Sequence, residues 1–221
     1  MEKKINVYLA GDSTVQTSQE KESPQAGWGQ FIEQFFTEDV QFFNHAIGGR
    51  SSKTFVEEGR LEAILSKISR DDYLLIQMGH NDSTPYKPER YTEPFGDYQK
   101  YLHMYVEGAR KTQAIPILIT PVARLHYENN QFVNDFQDYC NAMKQLAIEE
   151  HVLCIDLMER SLQYFASCGY ELVLTFFMAS VNHNDYTHFT KAGAKAIARL
   201  VADEIKNLPT PLAKYVKEID E

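Results

Sequence analysis

Two residues near opposite ends of this chain have the types needed for nucleophilic chemistry. Ser13 stands in Gly11-Asp12-Ser13-Thr14, directly after the apolar run Ile5-Asn6-Val7-Tyr8-Leu9-Ala10, and His188 closes Asp185-Tyr186-Thr187-His188. A serine hydroxyl is a weak nucleophile until a base accepts its proton, and the usual base is an imidazole held in one tautomer by a carboxylate. Asp185 can supply that carboxylate from the same loop, by reaching Nδ1 and leaving Nε2 free. Taken alone, Ser13 is as well explained as the cap of a following helix. The pairing with an Asp-x-x-His is what favours chemistry.

Such a site also needs donors for a developing oxyanion. Gly48-Gly49-Arg50-Ser51-Ser52 follows the short run Val40 to Asn44, and Gly79-His80-Asn81-Asp82 follows Tyr73-Leu74-Leu75-Ile76-Gln77-Met78. Glycine lets backbone amides approach a ligand with no Cβ in the way, and Asn81 can offer its side-chain amide. Three strand ends thus each carry one polar element, and a fourth loop carries the base. In an open parallel sheet, ligands bind at the carboxyl ends of the strands, so these loops should meet in one crevice.

The elements that must position them alternate between strand and helix, the pattern of βαβ units and an α/β fold. Helices are expected over 28–36, over 54–68 with an interruption at Gly59, over 97–112, over 132–150 and from Asp156 to about Cys168. Strands are expected at 115–119 and 152–155. The irregular stretch Thr84 to Pro94 should lie over the crevice as a loop. The aromatic stretch 170–178 is either core or a wall of the site. Thr190 can cap a final helix whose Ala194, Ile197, Ala198, Val201 and Ile205 form one apolar stripe. The whole of 1–221 reads as one domain, with 210–221 a short helix or a frayed tail.

Four ordered blocks, Gly11-Asp12-Ser13, Gly48-Gly49, Gly79-His80-Asn81-Asp82 and Asp185-Tyr186-Thr187-His188, resemble those of the SGNH, or GDSL-type, hydrolases. The likeness is greatest to their rhamnogalacturonan acetylesterase branch. It implies a flavodoxin-like three-layer α/β/α sandwich with a parallel sheet of about five strands. It also implies that Ser13 is the nucleophile, His188 the base and Asp185 its orienting acid, with an oxyanion hole from the amides of Ser13 and Gly49 and the side chain of Asn81. His183 stands close to the same motif, so the choice of His188 as base rests on spacing.

The surrounding loops carry hydrogen-bonding and aromatic residues, among them Trp28, Arg50, His80 and Arg124, a lining that suits sugars. The expected function is therefore removal of acetyl groups from O-acetylated plant cell-wall oligosaccharides. The rival readings are a short-chain lipolytic esterase or thioesterase and a noncatalytic carbohydrate-binding domain. Arg50 and Arg124 are the cations to watch for an acidic sugar; ordinary surface ion pairing is their alternative role.

A net charge of −9 over 221 residues argues against nucleic acid as a partner. No apolar run reaches membrane-spanning length, and Met1-Glu2-Lys3-Lys4 runs straight into the first strand, so a soluble cytoplasmic protein is expected. Cys140, Cys154 and Cys168 are widely spaced, which fits free thiols. No cofactor is expected, and no metal either, because His183, Asp185 and His188 have no further cluster to complete a coordination shell.

Overall fold

In the computed structural model, which describes residues 4–218, five parallel strands form one sheet. They are β1 (Ile5–Gly11), β2 (Val40–Asn44), β3 (Tyr73–Gln77), β4 (Ile115–Ile119) and β5 (Leu153–Ile155), in the spatial order β2-β1-β3-β4-β5. Every residue of β3 is buried, as a central strand covered on both faces requires. The chain moves to one side of β1 to make β2 and returns to its other side to make β3. The strand ends around β1 therefore face the crevice that such a reversal opens.

Helices α1 (Ser52–Glu57), α2 (Arg60–Leu65), α3 (Gln99–Lys111) and α4 (Gln137–Glu149) pack together on one face of the sheet. On the other face lie α5 (Leu157–Cys168) and a long last helix, together with 3-10 turns at Trp28–Gln30 and Ile32–Phe35. Two short helices, α6 (Tyr170–Leu174) and α7 (Ala179–Asn182), precede that last helix, α8 (Lys191–Asn207). The architecture is the three-layer α/β/α sandwich expected.

The apolar stripe of α8 is buried along its length, and the Thr190 hydroxyl accepts from Gly193 N at 3.3 Å to cap it. A Cβ at Gly193 would stand 2.1 Å from the Phe176 carbonyl oxygen, so the first turn of α8 lies directly on the preceding segment. Phe176 and Phe177 are buried there, so this end of the aromatic stretch 170–178 is core, while Tyr170 at its start lines a groove beside Arg124.

Gly59, in the left-handed region at φ 72°, separates α1 from α2 where the interruption was expected. Two other expectations need correction. The stretch 28–36 is not a continuous helix: Trp28 N donates to the Thr14 carbonyl at 2.8 Å, tying the backbone to the loop after Ser13. The helix expected over 132–150 starts at Gln137, because Tyr127–Glu128 and Gln131–Phe132 pair as a hairpin. Asn129 and Asn130, at φ 51° and 63°, form its two-residue turn, a conformation asparagine tolerates well.

Near the end of the chain, Pro211–Tyr215 forms a 3-10 turn with Leu212 fully buried, and Val216 bridges to Phe36. The segment through residue 218 is docked rather than frayed; 219–221 lie outside the described residues.

Candidate active site

Ser13 sits on the turn that leaves β1, and buried polar groups fix that turn. The Asp12 Oδ1 atom accepts from Thr14 N and from Thr14 Oγ1, both at 2.8 Å. Gln77, the last residue of β3, donates to the Thr14 hydroxyl at 2.7 Å and accepts from Trp28 Nε1 at 2.8 Å. Trp28 is only 1% exposed, so the sequence-based expectation that it contacts substrate is wrong. Its indole N–H found a partner inside the fold, and the ring supports the serine turn from behind.

The His188 imidazole arrives from the far end of the sequence. Gln25–Ala26 pairs antiparallel with Phe189–Thr190, and Lys191 N donates to the Pro24 carbonyl at 2.8 Å. The loop before Phe189 is held by bonds from Met178 N to the His188 carbonyl and from Leu125 N to the Tyr186 carbonyl. Asn182 Oδ1 accepts from the amides of Asn184 and Asp185. As a result His188 Nε2 lies 2.9 Å from Ser13 Oγ, and His188 Nδ1 lies 2.8 Å from Asp185 Oδ2. His183, by contrast, is exposed at the end of α7 with a left-handed backbone and does not face the serine.

Burial tends to raise the Asp185 carboxyl, but hydrogen bonds from the His188 ring, the His188 amide and the Thr187 amide outweigh it and hold the group at about 2. The carboxylate stays ionised over the working range of an imidazole. It fixes Nδ1 as the protonated nitrogen and leaves Nε2 as the acceptor facing Ser13.

The two remaining blocks close the cleft around Ser13. Gly48 N donates to Gln16 Oε1 at 2.6 Å, and a Cβ on Gly48 would stand 3.3 Å from Ser13 Cβ, so the glycine loop lies against the serine. Gly49, at φ 80°, follows on the cleft wall. Asn81 donates one amide hydrogen to the Arg50 carbonyl at 3.0 Å, which orients the side chain and leaves its second N–H for the cleft it lines.

Arg50 does not line the cleft, contrary to expectation. Its Nε donates to both carboxylate oxygens of Glu58, at 3.0 and 3.1 Å, and its Nη1 returns to the Gly48 carbonyl at 2.9 Å. It braces the glycine loop. His80 lines the floor of the cleft but is 4% exposed, and both ring nitrogens face inward. Its Nε2 lies 3.0 Å from the Val122 carbonyl, and its Nδ1 faces Asp12 Oδ2 at 3.2 Å, an ion-pair distance without hydrogen-bond alignment. The expectation that His80 contacts substrate therefore does not hold for its nitrogens.

Arg124 does line the cleft, with its guanidinium over the Phe136 ring at 4.7 Å. Burial holds it below the ordinary arginine value, against the pull of Asp135, Asp12 and Asp185. Arg90 lines the same cleft and was not singled out from the sequence. The signal available was a basic residue in the irregular stretch expected over the crevice. The cleft measures about 410 Å³. Among the described residues no group of three or more metal-ligating side chains occurs.

A hydroxyl, an imidazole and a carboxylate in hydrogen-bonded series at the ends of a parallel sheet have the geometry of a serine-hydrolase site. The chain belongs to the GDSL-like lipase/acylhydrolase family, which matches residues 7–201. It is 59% identical over 211 residues to a probable rhamnogalacturonan acetylesterase, YesY of Bacillus subtilis, covering 96% of this chain and 97% of that protein. It is 41% identical over 226 residues to the rhamnogalacturonan acetylesterase RhgT of the same organism, covering 98% and 96%. The crystal structure of Bacillus subtilis protein YxiM superposes with a TM-score of 0.84 at 32% identity, covering 95% of this chain and 58% of that one.

Asp82 ties these loops together. Fully buried, it accepts from Ser52 N, Ser52 Oγ and Thr92 Oγ1, joining the β3 loop to the start of α1 and to the segment over the cleft. Burial drives its carboxyl up, with Asp12 adding to the rise, and the net result is about 6 despite those donors. The folded chain thus holds this proton more tightly than the unfolded chain does. Stability is expected to fall as pH rises from roughly 4 to 6, and Asp82→Asn to flatten that slope in urea titrations across the window.

Proposed function

We propose that this chain removes acetyl groups from O-acetylated oligosaccharides of the plant cell wall, fragments of rhamnogalacturonan above all. The observation that carries the reading is the relay from Ser13 Oγ to His188 Nε2 at 2.9 Å and from His188 Nδ1 to Asp185 at 2.8 Å. Ser13 Oγ attacks the acetyl carbonyl carbon as its proton passes to His188 Nε2. The resulting oxyanion is held by the amides of Ser13 and Gly49 and by the free N–H of Asn81. The imidazolium returns the proton to the departing sugar oxygen, leaving an acetyl ester on Ser13. Water, deprotonated by the same imidazole, then attacks that ester, and acetate leaves with the serine hydroxyl restored.

The cleft lining supports a sugar rather than a long acyl chain. Gln16, Gln25, Thr84, Arg90 and Arg124 offer hydrogen bonds to hydroxyls, and Tyr86, 80% exposed, offers a ring face at the rim. The names of YesY and RhgT point to the same substrate class. The reading includes action in the cytoplasm on imported fragments, where the free Cys140, Cys154 and Cys168 suit a reducing compartment.

Asn81→Ala is expected to lower kcat by about 10²- to 10³-fold while the protein stays folded, which steady-state assays and circular dichroism check together. Across p-nitrophenyl acetate, butyrate and octanoate, kcat/KM should fall about tenfold or more at the first lengthening. Efficient octanoate hydrolysis would replace the acetyl reading with a lipolytic one.

A further inference from the structure

Two arginines of this acidic chain line the cleft without a carboxylate in contact among the described residues. Arg124 Nε and Arg90 Nε are both buried, and neither has a hydrogen-bond partner among the described residues. Arg124 is stacked on Phe136 rather than on a carboxylate, and Arg90 only reaches the Gly49 carbonyl through Nη1, at 3.4 Å. Elsewhere Arg50, Arg60, Arg110 and Arg199 each meet an aspartate or glutamate within 3.2 Å. A chain with net charge −9 has carboxylates to spare. Leaving two buried guanidinium nitrogens without one is costly unless a ligand completes them.

Arg124 also belongs to a second cavity. A groove of about 490 Å³ begins where the cleft ends and shares Arg124 with it, and its other walls include Tyr127, Tyr170 and Tyr186. The Tyr127 and Tyr170 rings lie 4.9 Å apart, and Tyr127 and Tyr186 are 36% and 47% exposed. Exposed phenol rings side by side make a platform on which the CH faces of a sugar can rest. The groove's two carboxylates, Glu128 and Asp135, are both taken up by His126, at 2.9 and 2.5 Å on its two ring nitrogens. The Arg124 guanidinium at the junction feels Asp135, Asp12 and Asp185 at longer range but has no carboxylate in contact among the described residues.

We infer that Arg124, with Arg90 across the cleft, reads the carboxylate of a hexuronic acid residue in the substrate, and that the tyrosine groove holds the sugars that follow it. This rests on the acetylesterase reading and adds the feature that separates an acidic oligosaccharide from a neutral one. A guanidinium fork matches a planar carboxylate through paired N–H donors, which a hydroxyl cannot equal.

The test compares the wild type with Arg124→Gln, Arg124→Lys, Arg90→Gln and Tyr127→Ala on three esters: an acetylated oligogalacturonide, an acetylated xylo-oligosaccharide of equal length, and p-nitrophenyl acetate. The wild type should prefer the uronate, and about 0.5 M sodium chloride should erode that preference. Arg124→Gln should lose about 10- to 100-fold in kcat/KM on the uronate, chiefly through KM, and much less than that on p-nitrophenyl acetate. Arg124→Lys should fall between, and Arg90→Gln should lose in the same direction. Tyr127→Ala should cost more as the oligosaccharide lengthens and nothing on p-nitrophenyl acetate. Equal losses on all three esters, or no loss on the uronate, would overturn the assignment. So would a wild type without preference for the uronate, which decides the matter even if Arg124→Gln fails to fold. If the wild type cleaves none of the three, it is the esterase reading itself that falls.

Discussion

The pairing of Gln25–Ala26 with Phe189–Thr190 joins the two ends of the sequence, and the site exists because of it. Only two residues on each side take part, so backbone hydrogen bonds alone are a weak clasp. Packing makes the clasp firm: Phe189 is fully buried, its ring 4.9 Å from that of Phe177, and Ala26 is buried opposite. The cap and first turn of α8 follow at once, laid against Phe176. An imidazole held 2.9 Å from a hydroxyl 175 residues away needs this kind of redundancy, since in a reacting pair a shift of about 1 Å can cost as much as 100-fold in rate.

Behind the reacting atoms lies a layer of buried polar residues that do no chemistry themselves. Asp12 holds the serine turn and faces His80, His80 reaches the Val122 carbonyl after β4, and Asp82 links the β3 loop to α1 and to Thr92. Each buried carboxylate would be expensive in isolation: Asp12 accepts from Thr14 in its own turn and faces His80, and Asp82 accepts from Ser52 and Thr92 on two other loops. The network makes the loops one unit: none can move without leaving a partner's charge unsatisfied. Asp185 shows the same logic beside solvent, where three donors keep it ionised against its burial.

Three of the blocks that line the cleft could be read from the sequence because each follows a strand, and strand ends at a reversal in sheet order converge; the Asp185–His188 block, which precedes a strand, was marked only by its Asp-x-x-His spacing. The sheet itself followed from apolar runs such as 73–77 and 115–119, which match the strands found. What escaped was decided by tertiary partners. Trp28 looked like a sugar platform until Gln77 claimed its N–H inside the core, and Arg50 like a ligand cation until Glu58 and the Gly48 carbonyl turned it back. Arg90 lies in a stretch with no periodicity, where nothing local says which way a side chain faces. The hairpin at 127–132 was marked only by Asn129-Asn130, a turn signal lost against the longer helical pattern that follows it.

The central claim is that the imidazole of His188 activates the hydroxyl of Ser13. Intact-protein mass spectrometry during reaction with a fluorophosphonate tests it most directly, with the adduct located by peptide mapping in the wild type and in His188→Gln. One adduct per chain, on Ser13, formed rapidly in the wild type and hardly at all in the variant, is the predicted result. Labelling at another residue, or at the same rate without the imidazole, would contradict it.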